Sequence, residues 1–305
     1  MYELIIIGAG PAGMAAAVYA ARKRLKTLLV AGDIGGQVNW TAGIENYLGY
    51  QLIEGHELIA RFQEQVNQFP IDQKIGNKVV GVSRLNYAGF EVTTESGEKF
   101  QSQAVLAAMG KRPRRLKVPG EIEFTGRGVT YCAVCDGPIF AGQRVAVIGG
   151  GNSALEAALD MVKIATHVDL ISPLPLTGDK ILIERLAAAP NINILIGFAV
   201  DKVAGDKFVE GLEIHDLKTN TLQRLDVTGI FIEIGLEPNT DAVKGLAALN
   251  ENGEIIIDYF CRTNVPGLFA AGDVSTVPEK QIIIAAGEGA KAALQAHRYL
   301  QHLTT

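Results

Sequence analysis

The sequence predicts an α/β protein made of two Rossmann-like, three-layer (ββα/βαβ) nucleotide-binding domains, the second inserted in the first. Three observations carry this. A buried-type apolar run, a glycine turn and an alanine-rich stretch open the chain. The same unit recurs from Arg144, and a third apolar strand near the C-terminus ends in Gly-Asp before a small-residue helix. A chain of 305 residues suits two domains.

The first unit reads Glu3–Ile7, then Gly8-Ala-Gly-Pro-Ala-Gly13, then the helix-forming stretch Met14–Arg22 and a second apolar strand at Lys26–Val30. In such a strand–turn–helix unit Gly8 permits the tight turn, Gly10 lets a pyrophosphate approach the backbone, and Gly13 lets the helix pack closely on the strand. The helix N-terminus then faces the anion. The second unit is strand Arg144–Ile148, turn Gly149-Gly-Gly-Asn-Ser-Ala154, helix Leu155–Lys163 and strand Val168–Ile171. Two dinucleotide folds in a chain of this size usually mean FAD on the first and a nicotinamide nucleotide on the second. The third signal is Gly267–Asp273, followed by Gln281-Ile-Ile-Ile-Ala-Ala-Gly-Glu-Gly-Ala. A carboxylate at such a strand end can accept from a ribityl hydroxyl, and a helix N-terminus can stabilise negative charge on a reduced ring. If this segment returns to the first fold, residues 1–112 and 241–305 form the FAD domain and 113–240 the inserted nicotinamide-nucleotide domain. The crossings fall in Pro- and Gly-containing stretches near Lys111–Gly120 and Gly235–Thr240.

Composition excludes several classes. The chain is 48% hydrophobic and 20% charged, with 28 Lys plus Arg against 33 Asp plus Glu. A net charge of −5 argues against a protein that coats nucleic acid or anionic membrane. Apolar runs are short and no basic leader precedes the first strand, so the expectation is a cytoplasmic protein. Three cysteines make neither a disulfide scaffold nor a four-cysteine zinc site, yet two of them form Cys132-Ala-Val-Cys135. Thiols at i and i+3 close a small, reducible disulfide ring. Asp136 beside them can protonate a leaving thiolate if partial burial raises its pKa; helix capping is its structural alternative. Cys261 reads as a core or loop cysteine next to an expected strand at Glu254–Tyr259. His56, His167 and His215 show no metal-ligand spacing, so no metal site is expected.

Gly8–Gly13, Gly35-Gly-Gln37, Asn46, Cys132-Ala-Val-Cys-Asp-Gly137, Gly149–Ala154 and Phe269-Ala-Ala-Gly-Asp273 resemble the low-molecular-weight thioredoxin reductases over residues 2–300. Tyr131–Pro138, Gly253–Asp258 and Lys280–Ile284 are similar to the flavoprotein subunit of alkyl hydroperoxide reductase, without its N-terminal thioredoxin-like domains. The resemblance implies an FAD-dependent protein-disulfide reductase and a homodimer. It places FAD on Gly8, Gly10, Pro11, Ala12, Gly13, Asp33, Gly35, Gly36, Gln37, Asn46, Val79, Gly272, Asp273, Gln281 and Ile282. A nicotinamide nucleotide would lie on Gly149, Gly151, Asn152, Ser153, Ala154 and Ser172. Cys135 would be the thiol facing the flavin, Cys132 the one attacking a thioredoxin- or glutaredoxin-like partner, and Asp136 the acid/base. The inserted domain would rotate between a flavin-reducing and a partner-reducing state.

The chain departs from the family at the donor site. NADP-using members carry a basic cluster after the second strand of the inserted domain, whereas Val168–Gly178 contains no Arg or Lys. A 2′-phosphate would lack its partner, so NADPH is disfavoured. NADH-using relatives place an acidic residue there; this chain has Ser172, which loses roughly 1 kcal/mol or more of charge-assisted hydrogen bonding. NADH is the first expectation, ferredoxin or another donor the second. A flavin-dependent NADH oxidase is the competing enzyme class. Lys111-Arg-Pro-Arg-Arg-Leu-Lys117 reads as a solvated linker or as a dock for an acidic partner protein, not for nucleic acid. Trp40 can border the flavin or simply pack.

Overall fold

The first glycine unit folds as strand β1 (Tyr2–Ala9), helix α1 (Pro11–Arg22) and strand β2 (Thr27–Ile34) in a computed structural model. The structure describes residues 1–40, 44, 46–85 and 89–303, without the side chains of Trp40, Val134 and Cys135. The chain divides into two compact units, Met1–Arg112 with Glu237–Thr305, and Pro113–Leu236.

The first unit continues with α2 (Gly55–Asn67), β3 (Asp72–Ile75), β4 (Val79–Arg84), β5 (Phe90–Thr94) and β6 (Lys99–Ala107). Strand β1 pairs parallel with β2 and β6, and β2 with β3, while β4 and β5 extend the sheet antiparallel from β6. The apolar run Leu4–Ile7 has no polar alternation because the sheet is covered on both faces. Leu4 and Ile6 enter a core shared with α1, α2 and the C-terminal helix; Ile5 and Ile7 enter a second core with Val82, Val92 and Val243. These are the three layers.

The second unit holds β8 (Val129–Thr130), α3 (Ala133–Asp136), β9 (Arg144–Ile148), α4 (Asn152–Ile164), β10 (His167–Ser172), α5 (Lys180–Ala187) and β11 (Ile192–Ile196). An antiparallel sheet follows, β12 (Phe198–Gly205), β13 (Val209–Asp216) and β14 (Leu222–Leu225), and then β15 (Gly229–Ile232). The parallel sheet runs β11-β10-β9-β15-β8. Val145 and Val147 pack toward α4 and α5, and Ala146 and Ile148 toward the antiparallel sheet, repeating the three-layer plan. Strand order reverses between β9 and β15, which opens a crevice at their C-terminal ends. The two crossings are short strands, β7 (Lys111–Pro113) and β16 (Leu236–Pro238). The units divide at 112/113 and at 236/237, where the sequence expectation places the second crossing at 240/241.

The C-terminal return supplies β17 (Leu268–Ala270), parallel to β6, and α6 (Ile282–Leu303), which packs on α1. Small residues permit that approach: a Cβ at Gly289 would overlap the backbone of Ala12. One expected strand is absent. Glu254–Tyr259 contributes only isolated bridges at Ile255, to Leu249 and Ser275. Asp258 accepts from the N–H groups of Phe260 and Arg262, turning the chain at its end.

Candidate functional site

A cavity of about 470 Å³ opens in the first unit, within the size of small-ligand pockets. The turn after β1 forms its floor. Gly8 has φ +104°, and a Cβ there would overlap the carbonyl of Ala108; a Cβ on Gly13 would overlap the carbonyl of Gly8. Side chains at either position would push α1 off the sheet. Gly10 caps α1 without a side-chain bond, Pro11 follows it, and no acidic residue occupies the first turn. The free N–H groups of that turn therefore face the cavity as a seat for an anion.

Of the residues expected to meet FAD, Gly8, Gly10, Pro11, Ala12, Asp33, Gly35, Gly36, Gln37, Val79, Gly272, Asp273, Gln281 and Ile282 line this cavity. Gly13 lies behind the turn, and Asn46 reaches the lining by donating to Gln281 Oε1 at 3.1 Å. Asp33 holds the turn by accepting from the Gly36 N–H at 3.2 Å. Burial pushes the Asp273 carboxyl up, opposed by nearby Lys280 and Lys111 and by the Gln37 amide at 3.4 Å. The floor geometry, the open anion seat and this carboxylate fit a dinucleotide with a pyrophosphate. Motif reasoning does not find the cations of the wall. Lys78, Lys111, Arg112 and Lys280 also line the cavity. Lys111 and Lys280 both reach Glu254 Oε1 at 2.9 Å, and Arg112 pairs with Asp241 at 2.9 Å and Glu237 at 3.5 Å. The head of the basic cluster is thus an ordered part of the cavity wall, while Arg114, Arg115 and Lys117 are exposed. Only its tail fits the solvated-linker reading.

The second glycine turn repeats the first. Gly149 has φ +144°, and a Cβ there would crowd Glu233 and Ala154. Gly151 caps α4, again without a side-chain bond. The Asn152 amide oxygen accepts from the Asp179 N–H at 2.7 Å, and the Ser153 hydroxyl donates to the Glu233 carboxylate. Ser172 is 3% exposed and its hydroxyl donates to the Leu174 carbonyl at 2.7 Å. The loop after β10 folds back, with the Thr177 and Gly178 N–H groups on the Gly150 carbonyl. The Ser172 hydroxyl thereby lies against the glycine turn, where a Cβ on Gly150 would come within 2.7 Å of it.

The cysteine segment leaves the end of β8. Cys132 is partly buried and disulfide-bonded. The side chain of Cys135, like that of Trp40, lies outside the described residues. Thr130 Oγ1 accepts from the Cys132 N–H at 3.2 Å and donates to the Asp136 carboxylate. Asp136 makes no side-chain cap bond, so the capping alternative is not realised. Beneath, Tyr131 donates to the buried Glu121 at 2.8 Å. Burial, with Glu121 beside it, pushes the Tyr131 phenol up to about 12. Cys261 is free and fully buried, its thiol pushed upward by burial and by Glu288 at 3.0 Å. His167 and His215 each pair with an aspartate, and the described residues form no metal-ligand cluster.

Two nucleotide-type folds and a cysteine pair on the second define a pyridine-nucleotide-dependent disulfide oxidoreductase class. The chain belongs to the pyridine nucleotide-disulphide oxidoreductase family, whose model matches residues 2–292. An alkyl hydroperoxide reductase component from Escherichia coli is 43% identical over 304 residues, covering 98% of this chain and 58% of that protein. A protein named NADH dehydrogenase from Ferdinandcohnia aciditolerans is 42% identical over 306 residues, covering 100% of this chain and again 58% of the relative. The chain therefore spans under two thirds of these relatives. Thioredoxin reductase from Lactococcus lactis superposes with a TM-score of 0.83 at 37% identity, covering 99% of this chain and 100% of that one. Thioredoxin reductase from T. acidophilum superposes at 0.78 with 33% identity, over 97% of this chain and 98% of that one.

Proposed function

We propose that this chain is an FAD-dependent disulfide reductase of the thioredoxin-reductase type. It takes electrons from NADH and passes them through Cys132 and Cys135 to a thioredoxin- or glutaredoxin-like protein. The observation that carries the reading is the disulfide at Cys132, held on the segment that leaves β8 in the unit with the second glycine turn. Similarity to thioredoxin reductases and to the alkyl hydroperoxide reductase component supports it. A homodimer in the cytoplasm is part of the same proposal. No helix among the described residues is long and apolar enough to cross a membrane.

FAD would lie in the cavity of the first unit, its pyrophosphate on the Gly8–Gly13 turn and its ribityl portion near Asp273 and Gln37. When bound, it supplies a two-electron relay between a nicotinamide and a disulfide. Gly149–Ala154 would seat the NADH pyrophosphate. Lack of a cation in Val168–Gly178 leaves a 2′-phosphate unpaired, which favours NADH over NADPH. In the dithiol, Asp136 would take the Cys132 proton; the thiolate attacks the partner's disulfide, forming a mixed disulfide and releasing one partner sulfur, to which Asp136 returns the proton. Cys135 then attacks Cys132, re-forming the ring and releasing the second partner thiol. Thr130 holds Asp136 and the Cys132 backbone in one hydrogen-bonded array.

A second reading is favoured by the relative named NADH dehydrogenase: electrons leave the flavin for an acceptor other than a disulfide. Anaerobic titration with NADH, NADPH and a reduced ferredoxin in turn identifies the donor by flavin bleaching. Bleaching by NADH at the lowest concentration is expected; bleaching by ferredoxin alone would remove NADH from the account.

A further inference from the structure

Glu233 takes no part in the relay of electrons, yet it stands where the second unit's two functional segments meet. It follows the last residue of β15, on the side of the crevice next to β8. Its carboxylate accepts from the Ser153 hydroxyl on the glycine turn. The parallel register of β15 on β8, Ile230 to Val129 and Phe231 to Thr130, continued by two residues sets Glu233 level with Cys132. The Ala133 N–H lies near enough to favour its charged form. It is only partly exposed, so solvent screens its charge incompletely. We infer that Glu233 is a positioning residue that ties the glycine turn to the backbone of the cysteine segment, and that its negative charge suppresses thiolate formation at Cys132.

The inference rests on the redox role proposed for Cys132. A negative charge level with a thiol on the neighbouring strand end opposes its ionisation. The other charged groups around the segment are Asp136 on α3, Glu156 on α4, Glu121 beneath Tyr131, and the cation Arg115 near Tyr131. Burial pushes the Glu233 carboxyl up, and Glu156 adds to that, while Ser153 and Ala133 oppose it. The suppression therefore relaxes toward acid, as Glu233 takes up a proton.

The test uses the FAD-loaded full chain carrying Cys135→Ser, so that Cys132 is the accessible thiol. Its alkylation by iodoacetamide is followed against pH by peptide mass. Adding Glu233→Gln should move the midpoint toward acid and raise the rate at pH 7 roughly three- to tenfold, the effect of removing one nearby charge at intermediate dielectric. Glu233→Asp, which keeps the charge, should restore the parent midpoint; a merely structural role would not distinguish the two. An unchanged midpoint in the Gln variant overturns the inference, as does an Asp variant shifted as far as the Gln one. Should the Gln variant not fold, Glu233→Met, uncharged and of similar size, is read the same way. Failure of the underlying redox reading shows separately: in the wild type, Cys132 would stay unreactive after anaerobic NADH.

Discussion

Replacing Glu254 by Gln removes one charge from the wall of the first cavity while keeping its shape. Glu254 is 9% exposed, and its carboxylate accepts from Lys111 and Lys280 at 2.9 Å and from Asn250 at 2.8 Å. Burial alone would raise its pKa, but these bonds outweigh burial and hold it at about 2, against 4.5 for an unperturbed glutamate. Because the folded value is depressed, the stabilisation is fully present above 4.5 and is lost as pH falls through 2. A shift of that size corresponds to about 3 kcal/mol at pH 7, shrinking to roughly half by pH 3. Urea unfolding of the holoprotein at pH 7 and pH 3 measures it. Glu254→Gln should lower the unfolding free energy by about 2 to 3 kcal/mol at pH 7 and by clearly less at pH 3. Equal losses at both values would refute the charge argument; no loss at either would show that the two lysines find other partners.

Gly13→Ala puts a methyl group onto the Gly8 carbonyl and should cost on the order of 3 kcal/mol or more, with most of the flavin lost, as read by flavin content of the purified protein. Cys135→Ser should abolish reduction of a thioredoxin-type partner with flavin content unchanged; undiminished turnover moves the reaction to the oxidase class. Asp136→Asn should slow partner reduction by about 10²-fold in stopped-flow assays, and an unchanged rate would remove it from proton transfer. Thr130→Val, which deletes the hydroxyl joining Asp136 to the Cys132 N–H, should slow the same step while leaving NADH-dependent flavin bleaching intact.

The glycine turns are legible in the sequence because their constraint is local: Gly8, Gly13 and Gly149 are set by backbone dihedrals and by close contact with neighbouring backbone. The same holds for the continuous apolar strands, whose lack of alternation announces a sheet buried on both faces. Side-chain capture is not legible. Glu254–Tyr259 has a strand-like pattern, but Glu254 is held by two lysines and Asp258 by its own turn, and both contacts are invisible to periodicity. Lys111 and Arg112 look like the head of a solvated charge run because their partners, Glu254 and Asp241, lie far along the chain. Ser172 stands at the expected strand end, and the next residues fold over Gly150, with Leu174 accepting from its hydroxyl, a contact no motif announces. Glu233 carries no motif at all; only the pairing of β15 with β9 brings it to Ser153.

Reductive titration with thiol counting tests the central claim most directly. The holoprotein is titrated anaerobically with NADH, quenched with iodoacetamide, and mapped by peptide mass. The account predicts uptake of about two NADH per chain, one for the flavin and one for the disulfide, with Cys132 and Cys135 becoming alkylated and Cys261 staying buried. Flavin bleaching complete at one NADH, with both cysteines still protected, would contradict it.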